Sequence, residues 1–516
     1  MASHGRQRLE TSRLKYGSVI KCLTLVLGAC VALCGCGESS ASPAGPRPPS
    51  RERPRVTFRP IDGGPDYFAK LNPRSAWMDH HILLGAWLEQ PLNGPEVGYD
   101  ATLGENIYWN LAGTVGDASN NRADYDVIRT HGMHVSAPDR TRNSGSETVM
   151  YDGSDESDMN YGAGNHGWRR GGPPNQTACV PAGSACGYSA DRFYYTGSPK
   201  PASGAPALPY PIGALPIHQG SGKAVLFWDS VKKAAQFVRF SDVESADSYW
   251  MTDPDLQVPS QGGCALLPDS PTACGGGSGS GLTPAQAELP ANYAYNVTRL
   301  EHLAAVAGKS KPIVVDVETT CPFQRGSSGY DKCSTPPQFT AAAWHALIAG
   351  ARGIIWFQHD FSGPCLDLRT FIDGSNPSSP AYNCQQTPGV TLHDIVLAVS
   401  AFDHEVAALN GVLLSPTADG YVATSGDVST MAKVYDGSCY VFAGAGQPGI
   451  PPPADQRVTF RLGDKYTGDV RVYGEKRTLR SSRGVFTDTF ADANSIRIYQ
   501  VVGGSFCGAR HSSRAP

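Results

Sequence analysis

Two stretches of this 516-residue sequence close short apolar runs with carboxylates. One is Val149-Met150-Tyr151-Asp152-Gly153-Ser154-Asp155-Glu156-Ser157-Asp158; the other is Ile313-Val314-Val315-Asp316-Val317-Glu318. A carboxylate ending an apolar strand is costly unless it is hydrogen-bonded or put to work. The work carboxyl groups do is proton transfer and nucleophilic attack. Alternation along the second run sets Asp316 and Glu318 on one face, with Ile313, Val315 and Val317 on the other. Other chemistries leave no signature. There is no GxSxG, no HExxH and no phosphate-cradling glycine loop ending in Lys and Ser or Thr. The glycine-rich stretch 275–281 reads as a loop tip.

The elements that must carry these carboxylates alternate in type. Strands are expected at 82–87, 106–111, 133–137, 148–151, 223–228, 243–250, 313–318 and 353–358, with helical patterns at 123–130, 291–307 and 338–351. The last helix follows Ser334-Thr335-Pro336-Pro337, a capping residue and then prolines suited to a first turn. Eight strands alternating with helices predict an α/β fold, a (β/α)8 TIM barrel over residues 61–409. In such a barrel functional side chains sit at the C-terminal ends of the strands, which is where Glu156 and Glu318 fall, after the fourth and seventh. Residues 160–222, rich in Gly and Pro, read as a long excursion after the fourth strand. A helix at 391–409 ends the barrel. Beyond it the hydrophobic period switches to two, predicting a small β-sandwich over 410–507 and a tail at 508–516.

The N-terminus reads as an address. Arg6, Arg8, Arg13, Lys15 and Lys21 precede an apolar run from Cys22 to Cys34 that is too short to span a bilayer. Leu33-Cys34-Gly35-Cys36 resembles a bacterial lipobox, with Cys36 lipidated and residues 1–36 the signal; Leu27-Gly28-Ala29-Cys30 is a second candidate. Residues 37–60 read as a Pro- and Ser-rich tether. The expected location is therefore outside the cytoplasm, on a membrane through an N-terminal lipid; an ordinary cleaved signal, giving a secreted protein, and a retained anchor are the alternatives. Ten further cysteines support export, because an even count in an exported chain favours disulfides. In chain order they pair as Cys179 with Cys186, Cys264 with Cys274, Cys321 with Cys333, Cys365 with Cys384, and Cys439 with Cys507. With no CxxC and no clustered His, a zinc site is not expected. Residues 1–60 hold ten Lys/Arg and three Asp/Glu, leaving 33 basic against 44 acidic residues in the rest. Such a balance argues against a nucleic-acid-binding body, because phosphate contacts need a basic face.

The order of these pieces resembles the large clan of retaining glycoside hydrolases built on a (β/α)8 barrel. That clan carries an acid/base Glu after strand four and a nucleophile Glu after strand seven. Further similar pieces are Leu84-Gly85-Ala86-Trp87-Leu88-Glu89-Gln90-Pro91 on strand one, Asp247-Ser248-Tyr249-Trp250 on strand six, and Gly350-Ala351-Arg352-Gly353-Ile354-Ile355-Trp356-Phe357 leading into strand eight. Val470-Arg471-Val472-Tyr473-Gly474-Glu475 and Phe486-Thr487-Asp488-Thr489-Phe490 resemble the sandwich often appended to such barrels. The resemblance implies a carbohydrate substrate, water as co-substrate and no metal or organic cofactor, with Glu318 as nucleophile and Glu156 as acid/base. Tyr249 is expected to hydrogen-bond the nucleophile, and Trp356 to form a stacking floor for a sugar ring. Glu89, Asn110, Asp139, Asp247 and His359 are strand-end polar groups expected to bind hydroxyls. Asp155 stands where many clan members have an Asn that holds the sugar 2-hydroxyl. A transglycosylase using the same glutamates and a non-catalytic carbohydrate-binding barrel remain as alternatives.

Overall fold

The structure, a computed structural model, describes residues 56–89, 93–110, 122–137, 145–160, 191–192, 195–196, 215–228, 230–253, 256, 282–323, 332–361, 365, 367 and 369–508. Its strands are β1 (Thr57–Arg59), β2 (Leu83–Ala86), β3 (Ile107–Trp109), β4 (His134–Ala137), β5 (Thr148–Asp155), β6 (Ile217–Ser221), β7 (Val243–Ala246), β8 (Val314–Glu318), β9 (Gly353–Phe357), β10 (Gln385–Thr387) and β11 (Val390–Thr391). There follow β12 (Thr417–Asp419), β13 (Val422–Ser425), β14 (Val428–Tyr435), β15 (Ser438–Ala445), β16 (Gln456–Leu462), β17 (Gly468–Val472), β18 (Arg477–Ser481), β19 (Val485–Phe490) and β20 (Ile496–Val502).

Strands β2 to β9 are the parallel set. Five form one sheet in the order β3-β4-β5-β6-β7 and three form another in the order β2-β9-β8. Single parallel bridges join the two sheets at both seams, Trp87 to Trp109 and Glu244 to Ile313. Glycine makes the close approach at the first seam possible: a Cβ on Gly85 would lie 1.6 Å from the Ile107 carbonyl oxygen. One side of the strands packs Leu83, Ile107, Trp109, Val149, Val243, Val314 and Ile355 against one another. The opposite side, with Val315, Val317, Ile354 and Trp356, packs on the helices. The expected alternation along β8 is therefore present.

Seven of the eight expected parallel strands form at the expected places; the fifth does not. Residues 224–228, Ala-Val-Leu-Phe-Trp, make a helical turn, and the fifth strand is β6, inside the stretch read as an excursion. β6 reads Ile-His-Gln-Gly-Ser and holds one aliphatic residue, so hydrophobic periodicity favours its apolar neighbour. The helix Pro336–Ala349 begins as expected: the Thr335 N–H donates to Gln338 Oε1 at 3.1 Å, and the two prolines occupy the first turn. It ends at Gly350, whose φ of 122° suits glycine.

The C-terminal strands make two antiparallel sheets, β1-β12-β14-β15-β20-β17-β18 and β13-β16-β19. Their inner residues Val441, Val470, Tyr499, Val458, Phe460 and Phe486 share one core. β1 corrects the tether: Thr57, Phe58 and Arg59 pair with Asp419, Ala418 and Thr417, and Phe58 stacks on Phe506 at 5.7 Å. Short edge pairing of this kind is invisible to a composition argument. The helix Pro336–Ala349 couples the two halves, with His345 Nε2 3.1 Å from the Ala445 carbonyl oxygen and Trp344 against Phe442. Disulfides join Cys321 to Cys333, Cys365 to Cys384 and Cys439 to Cys507, as chain order predicts. Cys36, the pairs 179/186 and 264/274, and Asp139 lie outside the described residues. Among the described residues no helix is long and apolar enough to cross a membrane.

Candidate functional site

The carboxyl ends of β5, β7 and β8 bring Asp155, Glu156, Asp247 and Asp316 into one electrostatic neighbourhood. Glu156 directly follows β5 with φ at 45°, an uncommon conformation for a glutamate, and its N–H donates to the Gly220 carbonyl at 3.0 Å. Burial is the largest cause raising the Glu156 pKa well above the ordinary value, and Asp247, Asp155 and Asp158 add to it while Lys223 opposes. Asp316 is raised well above its ordinary value by burial first and then by Asp247 and Asp155, with a Ser245 hydrogen bond opposing. Asp247 is pushed up to about 6, chiefly by burial, against hydrogen bonding from Tyr249 and the charge of Lys223. Asp155 moves the same way, by burial and then by Asp247, although its own surface is exposed. The Lys223 ammonium pairs with Asp253. Such a group holds protons near neutral pH that isolated carboxyls would release.

Glu318 lies one same-face position beyond Asp316 on β8 and is set differently. It is wholly enclosed, and its carboxylate accepts from the Met251 N–H at 3.0 Å, the Thr252 hydroxyl at 3.2 Å and the Tyr293 hydroxyl. Burial pushes its pKa up to about 7, while the Tyr293, Met251 and Thr252 donors hold it down. The expected role of Tyr249 therefore passes to Tyr293, the first residue of the helix Tyr293–Val306. Tyr249 bonds Asp247 instead and packs its ring on Phe357 at 4.8 Å. Nothing in the spacing singled out Tyr293, because it opens a helix 25 positions before the Glu318 it serves.

Trp356 is not a stacking floor. Its ring is fully buried on the helix side, and its indole N–H donates to Asp403 at 3.1 Å. Glu89 is buried and accepts from the Gln358 amide, and His359 holds the Trp87 carbonyl at 3.1 Å. Both thus have protein partners at the strand-one and strand-eight ends. Asn110, at the end of β3, is half-buried with φ at 48°. Sequence reasoning missed a further pair: Asp152 Oδ1 lies 2.7 Å from His218 Nδ1, both buried. The only sequence signal for it was an aspartate inside the fourth strand; His218 sat in the misread stretch. Among the described residues no group of three His, Cys, Asp or Glu is arranged to hold a metal.

No protein-family model and no curated protein matches this chain. Solved structures that match include a glycoside hydrolase family 30 endoxylanase from Clostridium papyrosolvens, 11% identical over 82% of this chain and 96% of that one, at a TM-score of 0.38. An Anoxybacillus alpha-amylase matches at 10% identity over 83% and 98%, with a TM-score of 0.36. A maltogenic alpha-amylase from Thermotoga neapolitana matches at 8% over 82% and 99%, with a TM-score of 0.39. Scores this low decide neither the fold nor the activity, which rest on the strands and side chains above.

Proposed function

We propose that this chain is an exported glycoside hydrolase, lipid-tethered through Cys36, that cleaves an extracytoplasmic poly- or oligosaccharide on a closed (β/α)8 barrel. The observation that carries the reading is the split in carboxyl environments at the strand ends. Glu156 and Asp316 are raised well above the ordinary carboxyl range by burial and by neighbouring carboxylates, while Glu318, which burial raises to about 7, is held by three donors that favour its ionised form. Glycosidic cleavage needs both states at once. Glu156 donates its proton to the departing oxygen, Glu318 attacks the anomeric carbon, and Glu156 then takes a proton from the water that releases the glycosyl group. Retention requires the two carboxyls to come within about 5–5.5 Å in the substrate complex.

Reducing-sugar release from a panel of glycans tests the activity, and a 2-deoxy-2-fluoro glycoside of the best substrate tests the nucleophile. Glu156→Gln and Glu318→Gln should each slow turnover by about a thousandfold or more, with the fluorosugar mass on the Glu318 peptide. A label on Asp316 transfers the role to that residue. Sugar binding without turnover that survives loss of both glutamates would make this a carbohydrate-binding protein. Longer products with added acceptor would make it a transglycosylase.

A further inference from the structure

Three side chains on neighbouring parallel strands turn polar atoms into the strand-lined interior and find no protein partner there. They are Trp109 Nε1 at the end of β3, Ser136 Oγ on β4 and His218 Nε2 on β6. Trp109 and Ser136 are paired residues of adjacent strands. Val135 and Ala137, on either side of Ser136, pack on the other face with Tyr108, so Ser136 and Trp109 share the inner face. The His218 ring meets the Trp109 ring at 5.0 Å and the Trp87 ring at 6.3 Å. All three residues are at most 1% exposed. Buried polar atoms are nearly always bonded, and one left bare costs about 1–3 kcal/mol. Three together indicate that something other than the chain supplies their partners.

We infer that Trp109, Ser136 and His218 form a floor that reads the hydroxyl groups of the innermost neutral sugar ring, a role that rests on the carbohydrate reading above. The chemistry of the set fits hydroxyls. The Asp152 contact engages His218 Nδ1, which leaves Nε2 to meet a ligand; the indole offers only a donor; the serine offers both. A hydroxyl group is donor and acceptor at once, so a vicinal pair satisfies all three positions without bringing charge. The floor also adjoins the carboxyls: His218 and Gly220 share a face of β6, and Asp155 Oδ1 is 3.0 Å from where a Gly220 Cβ would be.

The test separates this floor from the hydrolase reading. Binding of D-glucose, D-galactose, D-mannose, D-xylose and L-arabinose to the full-length Glu156→Gln protein is followed by tryptophan fluorescence and saturation-transfer NMR, beside hydrolysis by the unaltered enzyme. Trp109→Phe, Ser136→Ala and His218→Gln are then added to each. At least one sugar should bind, and each added change should weaken it by about tenfold or more. Melting temperature should hold or rise in Trp109→Phe and Ser136→Ala, because each removes an atom that has no partner in the folded chain. Sugar binding lost in these variants, with no hydrolysis by any form, upholds the floor and removes the enzyme. Hydrolysis with affinities and KM unchanged in all three variants overturns the floor and leaves the enzyme standing. No binding of any of the five sugars also overturns it, and water is then the partner of these atoms.

Discussion

Tyr293 is the group on which the charge of Glu318 most directly depends, since its hydroxyl is the leading influence opposing burial. Tyr293→Phe removes a donor that favours the ionised form, so the Glu318 pKa should climb above its present value of about 7. If Glu318 must be ionised to attack, the acid limb of the pH–rate profile moves up by about one unit and kcat/KM at pH 6 falls about tenfold. An unmoved limb would separate Tyr293 from the chemistry. Asp247 makes a prediction of opposite character. Its folded pKa of about 6 lies above the ordinary 3.8, so the folded state binds the proton more tightly than the unfolded chain does. That contribution is complete below about pH 4 and is lost as pH rises through about 6. Asp247→Asn should therefore gain on the order of 1–3 kcal/mol over the unaltered protein at pH 8 and show little gain at pH 4. Urea unfolding at the two pH values reads the difference, and an equal effect at both would contradict the assignment.

The parallel strands depend on close backbone approach, at the β2–β3 seam and between β2 and β9 within one sheet. A Cβ on Gly85 would meet the Ile107 carbonyl oxygen at 1.6 Å, and one on Gly353 would meet the Leu83 carbonyl oxygen at 2.4 Å. Neither neighbour is a side chain that can swing away. Gly85→Ala should cost more than about 3 kcal/mol, by thermal or urea unfolding, or prevent soluble expression; a stable, active variant would show the seam to be loose. Strand positions were legible wherever aliphatic residues marked them, as in Ile313 to Val317 and Gly353 to Phe357. The fifth was not, because its inner face carries His218 and Gly220. A polar interior is what a site requires and what hydrophobic periodicity penalises. The carboxylates after the fourth and seventh strands were legible for the converse reason, each closing an apolar run.

Across the whole molecule, the first and last described segments meet in the C-terminal sheets. β1 pairs with β12, Phe58 stacks on Phe506, and Cys507 is tied to Cys439 across 68 residues of sequence. A chain beginning at residue 61 should lose about 1–3 kcal/mol relative to one beginning at residue 53, through the missing edge strand and the exposed Phe506 ring. Replacing both Cys439 and Cys507 by Ala should cost about 2–4 kcal/mol by removing the closed loop. In both cases the KM for the glycan should stay unchanged, because neither segment reaches the strand ends that carry the carboxyls. A shift in KM would tie the sandwich to substrate binding.

Composition and pattern by themselves determined the class of fold, the change from parallel to antiparallel strands near residue 410, the pairing of three cysteine couples, and the two strand ends where acidic groups collect. The strands, helices and acidic strand ends are local, readable from period and turn chemistry over a dozen residues, and the cysteine couples follow chain order. Tertiary structure alone decided which aromatic serves which carboxylate, because Tyr293, Tyr249 and Trp356 differ by the direction each side chain takes and not by type. It also decided the Asp152–His218 pair, whose members lie 66 positions apart, and the enclosure of Glu318 beside Asp316, whose Oδ2 has no partner. The protonation of a carboxyl follows from what surrounds it in three dimensions, and that is settled only when distant strands close on one another.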